Sequence, residues 1–148
     1  MKILLAYDGF PPAWRALEEA AELAADEHAT VTILSVVPEA DAGASKAGGH
    51  HWLAPHADQD VAVAHSYLRD RGIEAEMKIA HGDPVDEIRK EAARGGYDMI
   101  VVGSRGRGAV KRLVLTSVSK RLADEAACPV LIVGRDATVR GGPAAPIR

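Results

Sequence analysis

The run Gly103-Ser104-Arg105-Gly106-Arg107-Gly108 combines bare backbone with guanidinium groups, directly after the apolar run Met99-Ile100-Val101-Val102. Glycines expose N–H groups that can approach an anion closely, and arginine matches phosphate oxygens with a planar fork of donors. A strand ending in such a loop, followed by a helix, is an arrangement that binds phosphate-bearing ligands in open α/β sheets. Neither common phosphate fingerprint is completed. A Walker loop needs Lys-Ser or Lys-Thr after Gly108, where Ala109-Val110 stands. A dinucleotide fingerprint needs a glycine at Lys111. What remains is Gly103-x-x-Gly106, nine residues, then Thr116-Ser117.

The charge around this loop is local. Arg105, Arg107, Lys111, Arg112, Lys120 and Arg121 precede the next acid, Asp124, while the whole chain has a net charge of −3. An acidic chain with one cationic segment suits a discrete anion site and argues against a general nucleic-acid surface. The 148 residues are 47% hydrophobic and 26% charged, the profile of one soluble domain. No apolar run approaches membrane-spanning length. The single cysteine, Cys128, excludes an intramolecular disulfide and fits a reducing, cytoplasmic setting. It sits at the start of an apolar run and reads as a buried structural thiol.

The elements that must position the loop follow from periodicity. Lys2–Tyr7, Thr30–Val37, Tyr97–Val102 and Pro129–Val133 are short apolar runs, as strands covered on both faces require. Ile73–Ala80 alternates and suits an edge. Between them lie helical stripes: Trp14, Leu17, Ala21 and Ala24 after Pro11-Pro12; Val61, Ala64 and Leu68; Val85, Ile88 and Ala92 after Asp83-Pro84; and Val114, Val118 and Leu122. The sum is α/β, one doubly wound five-stranded parallel sheet with helices on both faces. Residues 38–55 form a long irregular segment, and 135–148 read as a flexible tail.

These residues resemble the universal stress protein family. The likeness rests on Lys2-Ile-Leu-Leu-Ala-Tyr-Asp-Gly9, Leu34-Ser-Val-Val-Pro38, His81-Gly-Asp-Pro84, Asp98-Met-Ile-Val-Val-Gly-Ser-Arg-Gly106 and Cys128-Pro-Val-Leu-Ile-Val133, and covers residues 1–134. It implies an adenine nucleotide alpha hydrolase-like sheet of order 3-2-1-4-5, with Asp8 facing Gly103 across the topological switch point. It implies a small cytoplasmic module that binds ATP or AMP and acts as a stress-response switch through a protein partner. Ala6 and Val36 would pack near adenine, and Asp8 would lie towards ribose and phosphates through magnesium. Gly103, Arg105 and Gly106 would meet ribose and phosphate, with Thr116, Ser117 and Val118 at the head of the last helix. It also implies a homodimer through Val130–Val133, as an exposed edge strand would favour.

Two positions depart from the family pattern. Thr116 stands where nucleotide-binding members carry glycine, and Phe10 where a small hydroxyl residue is usual. Thr116 either blocks a left-handed backbone or caps the last helix with its hydroxyl. The alternative is therefore a stress protein of the same fold that binds no nucleotide and acts through protein contacts. No nucleophile-and-base constellation points to an enzyme, and any ATP hydrolysis should be slow. His50, His51 and His56, with Asp58 and Asp60, have no firm metal-ligand spacing.

Overall fold

Ile3, Leu4 and Leu5 are all fully buried, as the central strand of a sheet covered on both faces must be. The structure, a computed structural model, describes residues 1–38, 56–104 and 117–134, together with the backbone of 138–141. Strand β1 (Lys2–Ala6) pairs in parallel with β2 (Thr30–Val37) on one side and β4 (Met99–Gly103) on the other. Beyond them lie β3 (Ala75–His81) and β5 (Val130–Val133), also parallel. The order 3-2-1-4-5 is the one the family resemblance implied.

Alternation along the strands sorts the core into two halves. Ile3, Leu5, Ile33 and Val101 meet Leu17 of α1 (Pro11–Glu27) and Val61 and Leu68 of α2 (Ala57–Arg69). Leu4, Leu34, Ile100 and Ile132 face the other way. There they meet Val85 and Ile88 of α3 (Pro84–Gly95) and Leu122 of α4 (Ser117–Glu125). The stripes expected for the first three helices are buried, with Trp14 half-buried and edge-on to Tyr67 at 5.0 Å. Helix α3 begins as its sequence requires: Asp83 accepts a hydrogen bond from the Asp86 N–H at 3.0 Å, with proline next. Asp83→Ala should cost about 1 kcal/mol, read as a lower denaturant midpoint at unchanged slope.

The region expected to be a loose tail departs from that expectation. Thr138–Gly141 forms β6, antiparallel to β5, with Val133 opposite Thr138 and Val130 opposite Gly141. Strand β5, through which a homodimer was expected, has β4 on one side and β6 on the other. Residues 39–55, which include His50, His51 and Trp52, lie outside the described residues. So do Arg105, Gly106, Val114 and Thr116.

Candidate functional site

The site is set by where the chain changes direction. From β1 it runs through α1 to β2 on one side; from β3 it returns through α3, over the opposite face, to β4. The carboxyl ends of β1 and β4 are thus neighbours whose following segments diverge, which opens a crevice there. Ala6 ends β1 opposite Leu34 of β2, and Gly103 ends β4. Ala6, Val36 and Val118 are partly buried against the same half of the core, the one lined by α3 and α4. Three expected site residues from three different elements therefore share one face.

Asp8 closes the turn after β1. Its Oδ1 accepts a hydrogen bond from the Phe10 N–H at 3.0 Å, an Asx turn that presets the start of α1. Gly9 between them has φ +82°, which glycine adopts without strain. Here the structure brings in a residue whose position the sequence did not reveal. The Asp60 carboxyl group of α2 lies against Gly9, so close that a Cβ at Gly9 would sit 2.7 Å from it. Burial raises the Asp60 carboxyl above the ordinary range, His56 pulls it down, and Asp8 pushes it up again. The same acids act on Tyr7, whose hydroxyl is pushed up to about 12 by burial, then Asp60, then Asp8. Tyr7 is thus neutral at physiological pH. The rim of the crevice carries two carboxyl groups, Asp8 and Asp60, supplied by different elements.

Gly103 has a cause within the fold. A Cβ there would overlap the Pro12 carbonyl oxygen and come within 2.9 Å of the Ala13 nitrogen. The first turn of α1 therefore packs directly on the β4 backbone, and the space a side chain would take is filled by protein. Ser104 continues this tight passage: it is buried, and its N–H donates to the Val133 carbonyl at 2.8 Å. Ser117 opens α4. Arg121, one of the cationic residues near the loop, turns to acids, with Nε 3.3 Å from Glu125 and NH1 3.7 Å from Asp83.

Among the described residues no three His, Cys, Asp or Glu side chains gather into an all-protein metal cage. Cys128 is buried, and that burial raises its thiol pKa, with Asp98 adding to the effect. It has the surroundings of a structural thiol. No helix among the described residues is long and apolar enough to cross a membrane.

The match to known proteins follows the same boundaries as the fold. The universal stress protein family matches residues 1–134, from the start of the chain to just past β5. The chain belongs to that family. Universal stress protein YxiE of Bacillus subtilis is 33% identical over 144 residues, covering 89% of this chain and 97% of that one. Among solved structures, MJ0577 of Methanocaldococcus jannaschii superposes with a TM-score of 0.76 at 28% identity, covering 90% of this chain and 95% of that one. An Arabidopsis thaliana member, At3g01520, solved with AMP bound, superposes with a TM-score of 0.69 at 23% identity over 93% of each chain. At that identity the likeness speaks for the fold.

Proposed function

We propose that this universal stress protein is a cytoplasmic adenine-nucleotide module, taking ATP or AMP in the crevice between β1 and β4 and changing its protein contacts with the ligand. The observation that carries the reading is the pairing of β1 with β4, whose carboxyl ends, the first leading into Asp8 and the second ending at Gly103, lie side by side at the switch point. In sequence the arginine-glycine segment follows Gly103, and α4 begins at Ser117. Adenine would rest on the face shared by Ala6 and Val36. Phosphates would meet Arg105, the Gly106 backbone, and the N–H groups of Thr116, Ser117 and Val118 at the positive end of α4. AMP bound to the Arabidopsis relative is consistent with that ligand class.

Magnesium fits the donors at the rim, since Asp8 and Asp60 offer hard carboxylate oxygens of the kind it takes. It would supply positive charge between these acids and the phosphates. Binding of ATP should therefore weaken without it. A second reading, a member that binds no nucleotide, is favoured by Gly103, whose missing side chain is already accounted for by Pro12 and Ala13.

Calorimetric titration of ATP with magnesium, and of AMP, separates the two. The expected result is binding by the wild type, weakened at least tenfold in Asp8→Asn. Asparagine can still accept from Phe10 but removes the charge. Binding by Thr116→Gly alone would mean that this chain has lost its ligand. No heat from either protein would leave the protein-contact reading.

A further inference from the structure

Of the two acids in α2, Asp58 is exposed, while Asp60 is partly buried against the turn after β1. The carbon and both oxygens of the Asp60 carboxyl group lie 2.7–2.8 Å from where a Cβ of Gly9 would stand. Three nearly equal distances mean that the group presents its flat face to the Gly9 backbone. Its oxygen lone pairs lie in the plane of the group, so this contact leaves them unspent. Among the described residues none donates a hydrogen bond to them. The Asp60 carboxyl is held in place without being neutralised.

A second polar group under the same rim is in a similar condition. Tyr7 is only 5% exposed, and its hydroxyl makes no hydrogen bond to a described residue. Asp60 and Asp8 are the charges that act on it, which sets the hydroxyl close to both acids. A buried polar group so placed ordinarily meets ordered water or a ligand. His56, the group that draws Asp60 down, stands exposed at the start of α2, where solvent and salt screen it.

The rim therefore sets two carboxyl groups, from different elements, where phosphates would enter. Phosphate oxygens are repelled by such a pair, and the partial burial of Asp60 strengthens the repulsion. One or two carboxylates together with phosphate oxygens are also the donor set that hydrated magnesium takes. With that ion between them, the same carboxylates attract. Nucleotides differ in whether they bring it. A triphosphate chelates the ion through adjacent phosphates, whereas a monophosphate has a single group and arrives as a bare anion.

We infer that Asp60 is a specificity residue of the nucleotide site, favouring a triphosphate that carries its own divalent cation and disfavouring nucleotides that arrive without one, AMP above all. The inference rests on the nucleotide reading above and names which of its two ligands this chain takes. Gly9 serves it by letting the carboxyl face pack closely, and Tyr7 by offering a neutral hydroxyl beside the two acids.

Calorimetric titration of wild type and Asp60→Asn with three probes tests this: ATP with magnesium, ATP with EDTA, and AMP with EDTA. Wild type should bind the first at least tenfold more tightly than either of the others. Asp60→Asn should weaken the first at least fivefold and tighten the other two at least threefold. Changes of opposite sign separate this role from a structural one, in which loss of an acid near a helix start would lower all three together. Asp58→Asn, which removes the exposed acid of the same helix, should leave all three within twofold. Melting curves identify variants that keep the fold, and Asp60→Ser replaces the asparagine variant if that one does not. A folded Asp60 variant that keeps the wild-type preference overturns the inference, as does a parallel loss with all three probes. So does a wild type that takes AMP as tightly as ATP with magnesium, although the nucleotide reading then stands. A wild type that binds none of the three overturns that reading and the inference together.

Discussion

Gly103→Ala is expected to destabilise the protein by about 3 kcal/mol with no nucleotide present, near the upper end of the cost of overpacking. For a domain of this length that lowers the melting temperature by roughly 6–12 °C. The size follows from what the new methyl group meets: the Pro12 carbonyl and Ala13 nitrogen are backbone atoms and cannot swing aside as a side-chain tip would. Relief requires moving the first turn of α1 off β4. That turn is tied to Asp8 through the Phe10 N–H, so the rim of the crevice would move with it. Thermal melting of the ligand-free variant checks this. If glycine were needed only for a ligand, the free protein would melt like the wild type.

The second large effect concerns Glu91. This residue lies on the inner side of α3 with its side chain only 4% exposed, and it accepts from three donors: Lys78 Nζ at 2.8 Å, Arg94 NH2 at 2.7 Å and the Tyr97 hydroxyl at 2.9 Å. Burial alone would raise its carboxyl, but the hydrogen bonds from Lys78, Arg94 and Tyr97 outweigh it and hold the group at about 2, below the ordinary 4.5. A carboxyl depressed in the folded state stabilises it above the unfolded value and loses that contribution as pH falls. The difference corresponds to at most about 3 kcal/mol. Solvent around Lys78 and Arg94 reduces this to about 2 kcal/mol. Wild-type stability should therefore decline between about pH 5 and pH 2, by about that much more than in Glu91→Gln. Equal acid sensitivity of the two proteins would rule out the network as the cause.

Glu91 also shows what a sequence conceals. Val85, Ile88 and Ala92 announce the buried stripe of α3 by their spacing, and all are buried. Glutamate beside such a stripe reads as solvated; its burial depends on Lys78, thirteen positions earlier, and on Tyr97 after the helix. The β/α alternation of a parallel sheet was legible because apolar runs, proline starts and glycine stops alternate cleanly, whereas the order of the strands came from the family resemblance. The strand Thr138–Gly141 was not, since its four residues lie among glycines and prolines and pair only because β5 offers an edge. At the site, the glycine loop stood out by residue type, and the family resemblance supplied Asp8. The approach of Asp60 to Gly9 spans fifty residues of chain and leaves no local trace. Gly103 was legible as a glycine that matters, but the contact with Pro12 that accounts for it arises only when α1 docks.

The placement of β1 has a consequence for synthesis. Residues 1–81 hold β1, β2 and β3 as adjacent strands, whereas β4 meets β1 only after the chain has returned across the other face. A nascent chain can pair its first three strands while the second half is still unmade. During that interval the Ile3-Leu4-Leu5 edge that β4 will cover lies open, and so does the face of α1 destined for β4 and β5. Closing it joins Lys2 to Asp98, whose carboxyl accepts from the Lys2 N–H at 2.8 Å, a contact between the chain's first residues and its last third. Such distant closure is slow compared with local pairing. The window in which apolar surface of this sheet is most exposed to other chains therefore falls between the emergence of β3 and the arrival of β4.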